Sequence, residues 1–229
     1  MVKKPSGVLY IVATPIGNLE DITLRALRIL KEVDLIACED TRVTLKLLNK
    51  FGLKKKLISY FQPKEIDRLP LILNFLKEGK KVALVSDAGT PGISDPGYRL
   101  VQAAITENIP VVPIPGASAL TTALCACGLP INRFLFIGFP PSKEGKLRHL
   151  LETLKEEIGT IIFYLPLRRL IPFLKLVLEI LGNRRIVIAR ELTKIHEEFI
   201  RGNLSEVITR LEGINLRGEA TILVEGKGE

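Results

Sequence analysis

The chain has 229 residues, 47% hydrophobic and 25% charged, with a net charge of +8 at pH 7. That length holds one large domain or two small ones, and the balance of apolar to charged residues excludes a disordered chain. No apolar run reaches the roughly 18 to 20 residues of a membrane span, and the start, Met1-Val-Lys-Lys-Pro-Ser-Gly7, lacks the apolar core of a signal peptide, so a cytoplasmic protein with no membrane partner is expected.

In chain order, strand and helix signals alternate through the first half. Val8 to Ala13 reads as a strand, Ile22 to Lys31 as a helix, Asp34 to Cys38 as a strand and Val43 to Lys50 as a helix. A short strand at Leu57 to Tyr60 precedes a helix near Glu65 to Lys77; Val82 to Val85 precedes a helix from about Gly97 to Glu107, and Val111-Val112 closes the set. Five strands joined by helices predict a parallel sheet covered on both faces. Beyond a boundary expected at Pro113-Ile-Pro-Gly-Ala117 the pattern changes. Strands are predicted at 134–137, 160–163, 185–189, 197–201 and 219–224, with helices at 143–157, 170–181 and 204–211. Strands 185–189 and 197–201 are close enough to pair as a hairpin, which predicts a mixed sheet. The reading is therefore two α/β domains, residues 1–114 with a parallel sheet and residues 115–229 with a mixed one.

Three segments share one design. Leu9 to Ala26, Val82 to Gly97 and Val111 to Leu124 each run from a buried strand into a loop of Pro, Gly and small polar residues, then into a helix. In open α/β sheets, ligands bind just past the carboxyl ends of strands. In the second of these, Ser86-Asp-Ala-Gly-Thr-Pro-Gly-Ile-Ser-Asp-Pro-Gly97, glycines allow close approach of backbone to a ligand. Ser94 or Asp95 is expected to cap the following helix, with Pro96 at its first position. No turn carries GxGxxG or GxxxxGK[ST], so neither a dinucleotide-binding domain nor a P-loop is supported. The three cysteines, Cys38, Cys125 and Cys127, make no zinc pattern and read as small core residues, and His149 and His196 are isolated, so no metal site is expected.

Six segments in order, Ala13-Thr-Pro-Ile-Gly-Asn-Leu19, Glu39-Asp-Thr-Arg42, Ser86-Asp-Ala-Gly-Thr-Pro91, Ile93-Ser-Asp-Pro-Gly97, Pro115-Gly-Ala-Ser-Ala-Leu120 and Ala189-Arg-Glu-Leu-Thr-Lys194, span nearly the whole chain. Together they resemble the tetrapyrrole methylase superfamily of S-adenosylmethionine-dependent enzymes, and within it the members that methylate the ribose 2′-hydroxyl of a cytidine in small-subunit ribosomal RNA. The resemblance implies two α/β domains with the cofactor in a cleft between them. It also implies S-adenosylmethionine as cofactor, small-subunit ribosomal RNA or the ribosomal subunit as partner, and a homodimer. Cofactor contacts carry over to Asp87, Gly89, Thr90, Ser118 and Ala119, with Pro15 and Gly17 closing the opposite wall. Two stretches depart from the family pattern: Phe61-Gln-Pro-Lys-Glu65 stands where a His-Glu-type cluster is usual. Tyr164-Leu-Pro-Leu-Arg-Arg169 keeps only the arginine part of a glutamate, histidine and arginine set.

A protonated ribose hydroxyl is a poor nucleophile, so a base or a cation that stabilises the developing alkoxide is required nearby. Polar residues at the ends of apolar strands are the candidates, and Asp40 and Lys194 rank first as catalytic residues. Asp40 or Thr41 is equally suited to cap a helix with Arg42 as partner, and Arg190 with Glu191 to form an ion pair. Basic side chains suited to RNA phosphate are Arg25, Arg42, Lys143, Lys146, Arg148, Arg168, Arg169 and Lys194. A tetrapyrrole or other non-RNA acceptor, and a non-catalytic RNA-binding module, are the competing readings.

Overall fold

A computed structural model describes residues 7–228; the stretch 1–6, read above for targeting, lies outside the described residues. The chain divides into two compact units, residues 1–118 and 119–229. The first contains β1 (Val8–Val12), α1 (Leu24–Glu32), β2 (Leu35–Cys38), α2 (Thr41–Lys50), β3 (Leu57–Ser59), α3 (Glu65–Lys77), β4 (Lys81–Val85), α4 (Tyr98–Thr106) and β5 (Val111–Ile114). Its five strands pair in the order β3-β2-β4-β1-β5, all parallel.

Side chains alternate across each strand, and the alternation sorts this unit into two cores. Leu9, Leu35, Ala37, Val82 and Leu84 pack with Ile72, Leu76, Leu100 and Ala104 from α3 and α4. Val12, Ile36, Cys38, Ala83 and Val85 pack with Ala26, Ile29, Leu30 and Leu48 from α1 and α2. A sheet apolar on both faces needs this double cover, which explains why β2 is buried along its whole length. Local chemistry fixes where helices begin: the Thr23 hydroxyl accepts from Ala26 N–H at α1, and the Asp40 carboxylate accepts from Arg42 N–H at α2.

The second unit contains α5 (Ala119–Ala126), β6 (Phe134–Gly138), α6 (Glu144–Thr153), β7 (Thr160–Pro166), α7 (Leu170–Leu181), β8 (Arg185–Arg190), β9 (Glu198–Asn203), α8 (Leu204–Leu211) and β10 (Glu219–Val224). Its sheet runs β6-β7-β10-β8-β9 and is mixed: β6 and β7 are parallel, and the other three pairings are antiparallel. The hairpin pairing of β8 with β9 is present, from Arg185 opposite Asn203 to Arg190 opposite Glu198. One core gathers Phe163, Ile188 and Ile222 from the sheet with Phe173, Leu174 and Val177 from α7 and Leu204 from α8. The rings of Phe163 and Phe173 meet edge to face at 5.2 Å. Asn203 and Glu206 form a capping box at the start of α8.

Four expectations are corrected. The helix expected over 143–157 ends at Thr153, because Glu157 turns away to accept from Gly159 N–H and to meet Arg133. The strand expected over 160–163 continues to Pro166, since β10 pairs with it along that whole length. Cys125 is exposed rather than core: α5 buries Ala123 and Leu124, and the next residue, turned about 100° further round the helix, faces outward. Neither Ser94 nor Asp95 caps α4, and Pro96 is not its first residue. Gly97 precedes the helix at φ +147°, a conformation suited to glycine, and its N–H donates to the Glu65 carboxylate of α3 at 3.1 Å.

Candidate active site

All five strands of the first sheet are parallel, so their carboxyl ends lie along one edge, and the loops that follow them gather there. The loops after β1 and β4 are stitched by a two-way backbone pair. Thr14 N–H donates to Gly89 O at 2.9 Å, and Gly89 N–H donates to Thr14 O at 3.0 Å. The Thr14 hydroxyl donates to Ser86 O at 3.1 Å, and the Ser86 hydroxyl donates to Gly89 O at 3.1 Å. Gly89 sits at φ +91°, and a Cβ there would lie 3.3 Å from Ile16 Cγ2. On the β5 side, the Thr90 hydroxyl donates to Ala117 O at 3.2 Å. A Cβ on Gly116 would lie 3.0 Å from the Ala13 Cβ, so the β1 and β5 loops touch at their smallest residues.

The β2 end supplies charge. Asp40 N–H donates to the Asp87 carboxylate at 3.0 Å, tying the β2 loop to the β4 loop. Three carboxyls, Glu39, Asp40 and Asp87, therefore share this edge. Burial, then the neighbouring carboxylates Asp87 and Asp40, push Glu39 upward from the ordinary carboxylate range. Burial also pushes Asp87 upward, with Asp40 adding to it against the opposing pull of the Asp40 N–H and Arg42. Asp40 goes the other way: hydrogen bonds from the Arg42 guanidinium and N–H hold it at about 2. The expected role of Asp40 as helix cap with Arg42 as partner is thus present, with Arg42 Nε 3.0 Å from Asp40 Oδ1.

The sequence-derived candidates distribute unevenly. Pro15, Gly17, Asp40, Asp87, Gly89 and Thr90 lie in the loops at this one edge. Ser118 closes the first unit and Ala119 opens α5 in the second. Lys194 lies in the second unit, between β8 and β9, and pairs with Glu191 at 3.1 Å. The expected Arg190–Glu191 pair is not formed: Arg190, facing across the hairpin, meets Glu198 at 2.7 Å. Among the basic candidates for RNA, Arg148 is engaged by Glu179 and Arg169 donates to the carbonyls of Pro140 and Pro141, whereas Arg25, Lys143, Lys146 and Arg168 are exposed.

Sequence reasoning missed Glu65. It is 6% exposed, holds the Gly97 N–H, and lies 3.6 Å from Arg99 Nε, so it pins the far end of the 86–97 loop to α3. Burial and the adjacent Glu65 carboxylate push the Tyr60 phenol upward. The available signal was an acidic residue opening a helix, which reads as an ordinary first-turn carboxylate.

Asp87 gives a test of function against stability. Its native proton affinity is raised above the ordinary value of 3.8, so only at pH values between the unfolded and native values does the folded state hold a proton that the unfolded state has released. Stability therefore falls as pH rises from that value through the native one. We expect Asp87→Asn, which keeps the acceptor oxygen for Asp40 N–H, to melt no lower than wild type at pH 7. The methyl transfer that the family resemblance implies should fall roughly 10- to 100-fold, the scale of a lost charged hydrogen bond. Thermal melts and turnover on one preparation check both halves.

This edge, with glycines at its closest approaches and carboxyls on one flank, has the make-up expected of a small-molecule site of the α/β type and is the candidate site. Residues 8–208 match the model of the family described as Tetrapyrrole (Corrin/Porphyrin) Methylases, and the chain belongs to that family. It is 52% identical over 221 residues to Ribosomal RNA small subunit methyltransferase I of Thermotoga maritima, covering 96% of this chain and 99% of that one. The protein of the same name from Halalkalibacterium halodurans is 52% identical over 97% of this chain and 77% of its own length. The chain is accordingly a methyltransferase. In fold it resembles the uroporphyrin III C-methyltransferase of Thermus thermophilus, with a TM-score of 0.66 at 19% identity, covering 96% of this chain and 97% of that one.

Proposed function

We propose that the chain transfers a methyl group from S-adenosylmethionine to the ribose 2′-hydroxyl of a cytidine in small-subunit ribosomal RNA, working as a homodimer in the cytoplasm. The observation that carries this is the 52% identity, across nearly the whole chain, to proteins named for methylating small-subunit ribosomal RNA. The net charge of +8 suits an anionic acceptor.

The residues present fit the cofactor. Gly89 and Gly116 let the β1, β4 and β5 loops close on one another at small residues, which brings backbone groups to one edge, and Thr90, Asp87 and Ser118 are polar residues of the kind that bind a ribose and an amino-acid tail. Pro15 and Gly17 complete the set in the first unit, and Ala119, the first residue of the second, is included on the family resemblance alone. A carboxylate cluster whose members Glu39 and Asp87 are destabilised in their charged forms favours a cation beside it. Bound there, S-adenosylmethionine supplies an electrophilic methyl on a sulfonium centre.

The chain's own part is to orient the hydroxyl and manage its proton. A carboxylate held at about 2 is a weak base, so in this proposal Asp40 acts by fixing Arg42 and the β2–β4 junction. Glu39, pushed upward, is the better-matched proton acceptor. Lys194 stabilises negative charge on the RNA, at the alkoxide or at a phosphate.

Labelled S-adenosylmethionine should be mixed with small ribosomal subunits, or their naked RNA, from cells lacking the enzyme, and the methyl mapped by mass spectrometry. Label on one ribose 2′-oxygen is the expected result. Cofactor binding with no label on either RNA would overturn the proposal, and label on a tetrapyrrole instead would move the acceptor to that class.

A further inference from the structure

A concave site lies wholly within the second unit, at the β8–β9 turn and the approach to β10. It is a cavity of about 430 Å³ whose lining includes Arg190, Glu191, His196, Asn215 and Arg217. That volume lies within the roughly 300–1,000 Å³ of small-ligand pockets.

The turn beside it is built against local preference. Glu191 and Thr193 both adopt left-handed backbone, at φ +51° and +65°, and the second is a β-branched residue for which this conformation is a genuine outlier. The Thr193 hydroxyl is buried with no hydrogen-bond partner among the described residues. Strain and an orphaned polar group in one turn are features that gather at functional sites. What the turn gains is presentation: Ile195 stands at its tip, 96% exposed, with His196 exposed next to it.

The charges around the cavity are mostly committed. Glu198 is taken by Arg190, Glu191 by Lys194, and Glu197 accepts from Thr193 N–H at 2.6 Å. Arg217 is exposed and makes no ion pair among the described residues, so it is a cation ready for an anion from outside. Asn215, and the second carboxylate oxygen of Glu191, since Lys194 takes only Oε1, add donor and acceptor atoms of the kind that read a base edge. Single-stranded RNA offers this combination of features: a phosphate, a flat edge of donors and acceptors, and faces that unstack against an apolar wedge.

We propose that the β8–β9 turn and this cavity capture one unstacked nucleotide of the RNA. Arg217 holds its phosphate, Asn215 and Glu191 meet its base edge, and Ile195 with His196 wedges against its neighbour. The inference rests on the RNA reading above and adds to it a place on the second unit.

The test uses the full chain and transcribed small-subunit ribosomal RNA, with binding followed by fluorescence anisotropy across a salt series. Arg217→Ala should weaken binding about 10-fold and lower the slope of log affinity against log salt by about one, the signature of a lost phosphate contact. Ile195→Ser should weaken binding with the slope unchanged, because no charge is removed. Both variants should bind S-adenosylmethionine and melt as wild type does. Wild-type binding that both variants reproduce in affinity and slope would overturn this inference alone; failure of the wild type to bind the RNA would remove it together with the RNA reading. If Ile195→Ser instead lowers the molecular mass seen by light scattering and leaves RNA affinity untouched, the turn is a contact between copies, and the inference is likewise overturned.

Discussion

Gly89→Val is expected to lower methyl transfer by at least about 100-fold while the chain still folds. Three observations converge on that position. Its backbone lies at φ +91°, where a β-branched residue is strained. An added Cβ would come within 3.3 Å of Ile16 Cγ2, pressing on the β1 loop, and valine carries two further methyls beyond it. Gly89 also makes both hydrogen bonds of the bridge to Thr14 and accepts from the Ser86 hydroxyl, so any shift in its backbone reaches the loops after both β1 and β4. The stability cost of such local strain is of order 1–3 kcal/mol, tolerable against the total for a domain of this size. Cofactor affinity by calorimetry, turnover and a thermal melt on the same preparation separate the outcomes. Turnover within about threefold of wild type would show that this loop is not part of the methyl-transfer site.

Phe163→Ala should be the most damaging of the core substitutions, costing about 3–5 kcal/mol. Phe163 is 0% exposed, in the middle of β7, and its ring packs edge to face on Phe173 of α7. On one side β7 pairs with β6 and on the other with β10, so the strand is held firmly and cannot collapse into the cavity left behind. Phe173 loses its aromatic partner as well. The loss is a large fraction of the stability of a typical domain, so urea unfolding should show a midpoint shifted far down with its slope preserved. A shift below about 1 kcal/mol would mean that the second unit repacks freely.

Much of this architecture was legible because short apolar runs alternate with amphipathic stretches along the chain. The continuous apolar runs Leu35-Ile-Ala-Cys38 and Val82-Ala-Leu-Val85 place each strand in a sheet with two apolar faces, and α3, α7 and α8 have the bounds read from the sequence. Two of the errors came where a residue's partner is not its neighbour in sequence. Gly97 before α4 cannot be read locally, because the group that takes its N–H is Glu65, 32 residues away. Arg190 has an adjacent acid in Glu191, yet strand pairing sets Glu198 across from it. At the site, the candidates that end strands were found because loops at strand ends announce themselves in Pro, Gly and Asp. The bond from Asp40 N–H to Asp87, across 47 residues, has no such signal, since it depends on β2 and β4 being neighbours.

The strand order of the first sheet also sets a schedule for synthesis. Within this sheet β1 is made before the other four strands, yet its two neighbours are β4 and β5. About 70 residues must be added before β4 is made, which at 5–20 residues per second is roughly 4–15 s. For that interval the apolar run Val8-Leu-Tyr-Ile-Val12 has neither edge hydrogen-bonded within its sheet. The nascent chain therefore carries an apolar strand with two open edges before that strand's own partners exist, the condition under which unpaired edges aggregate.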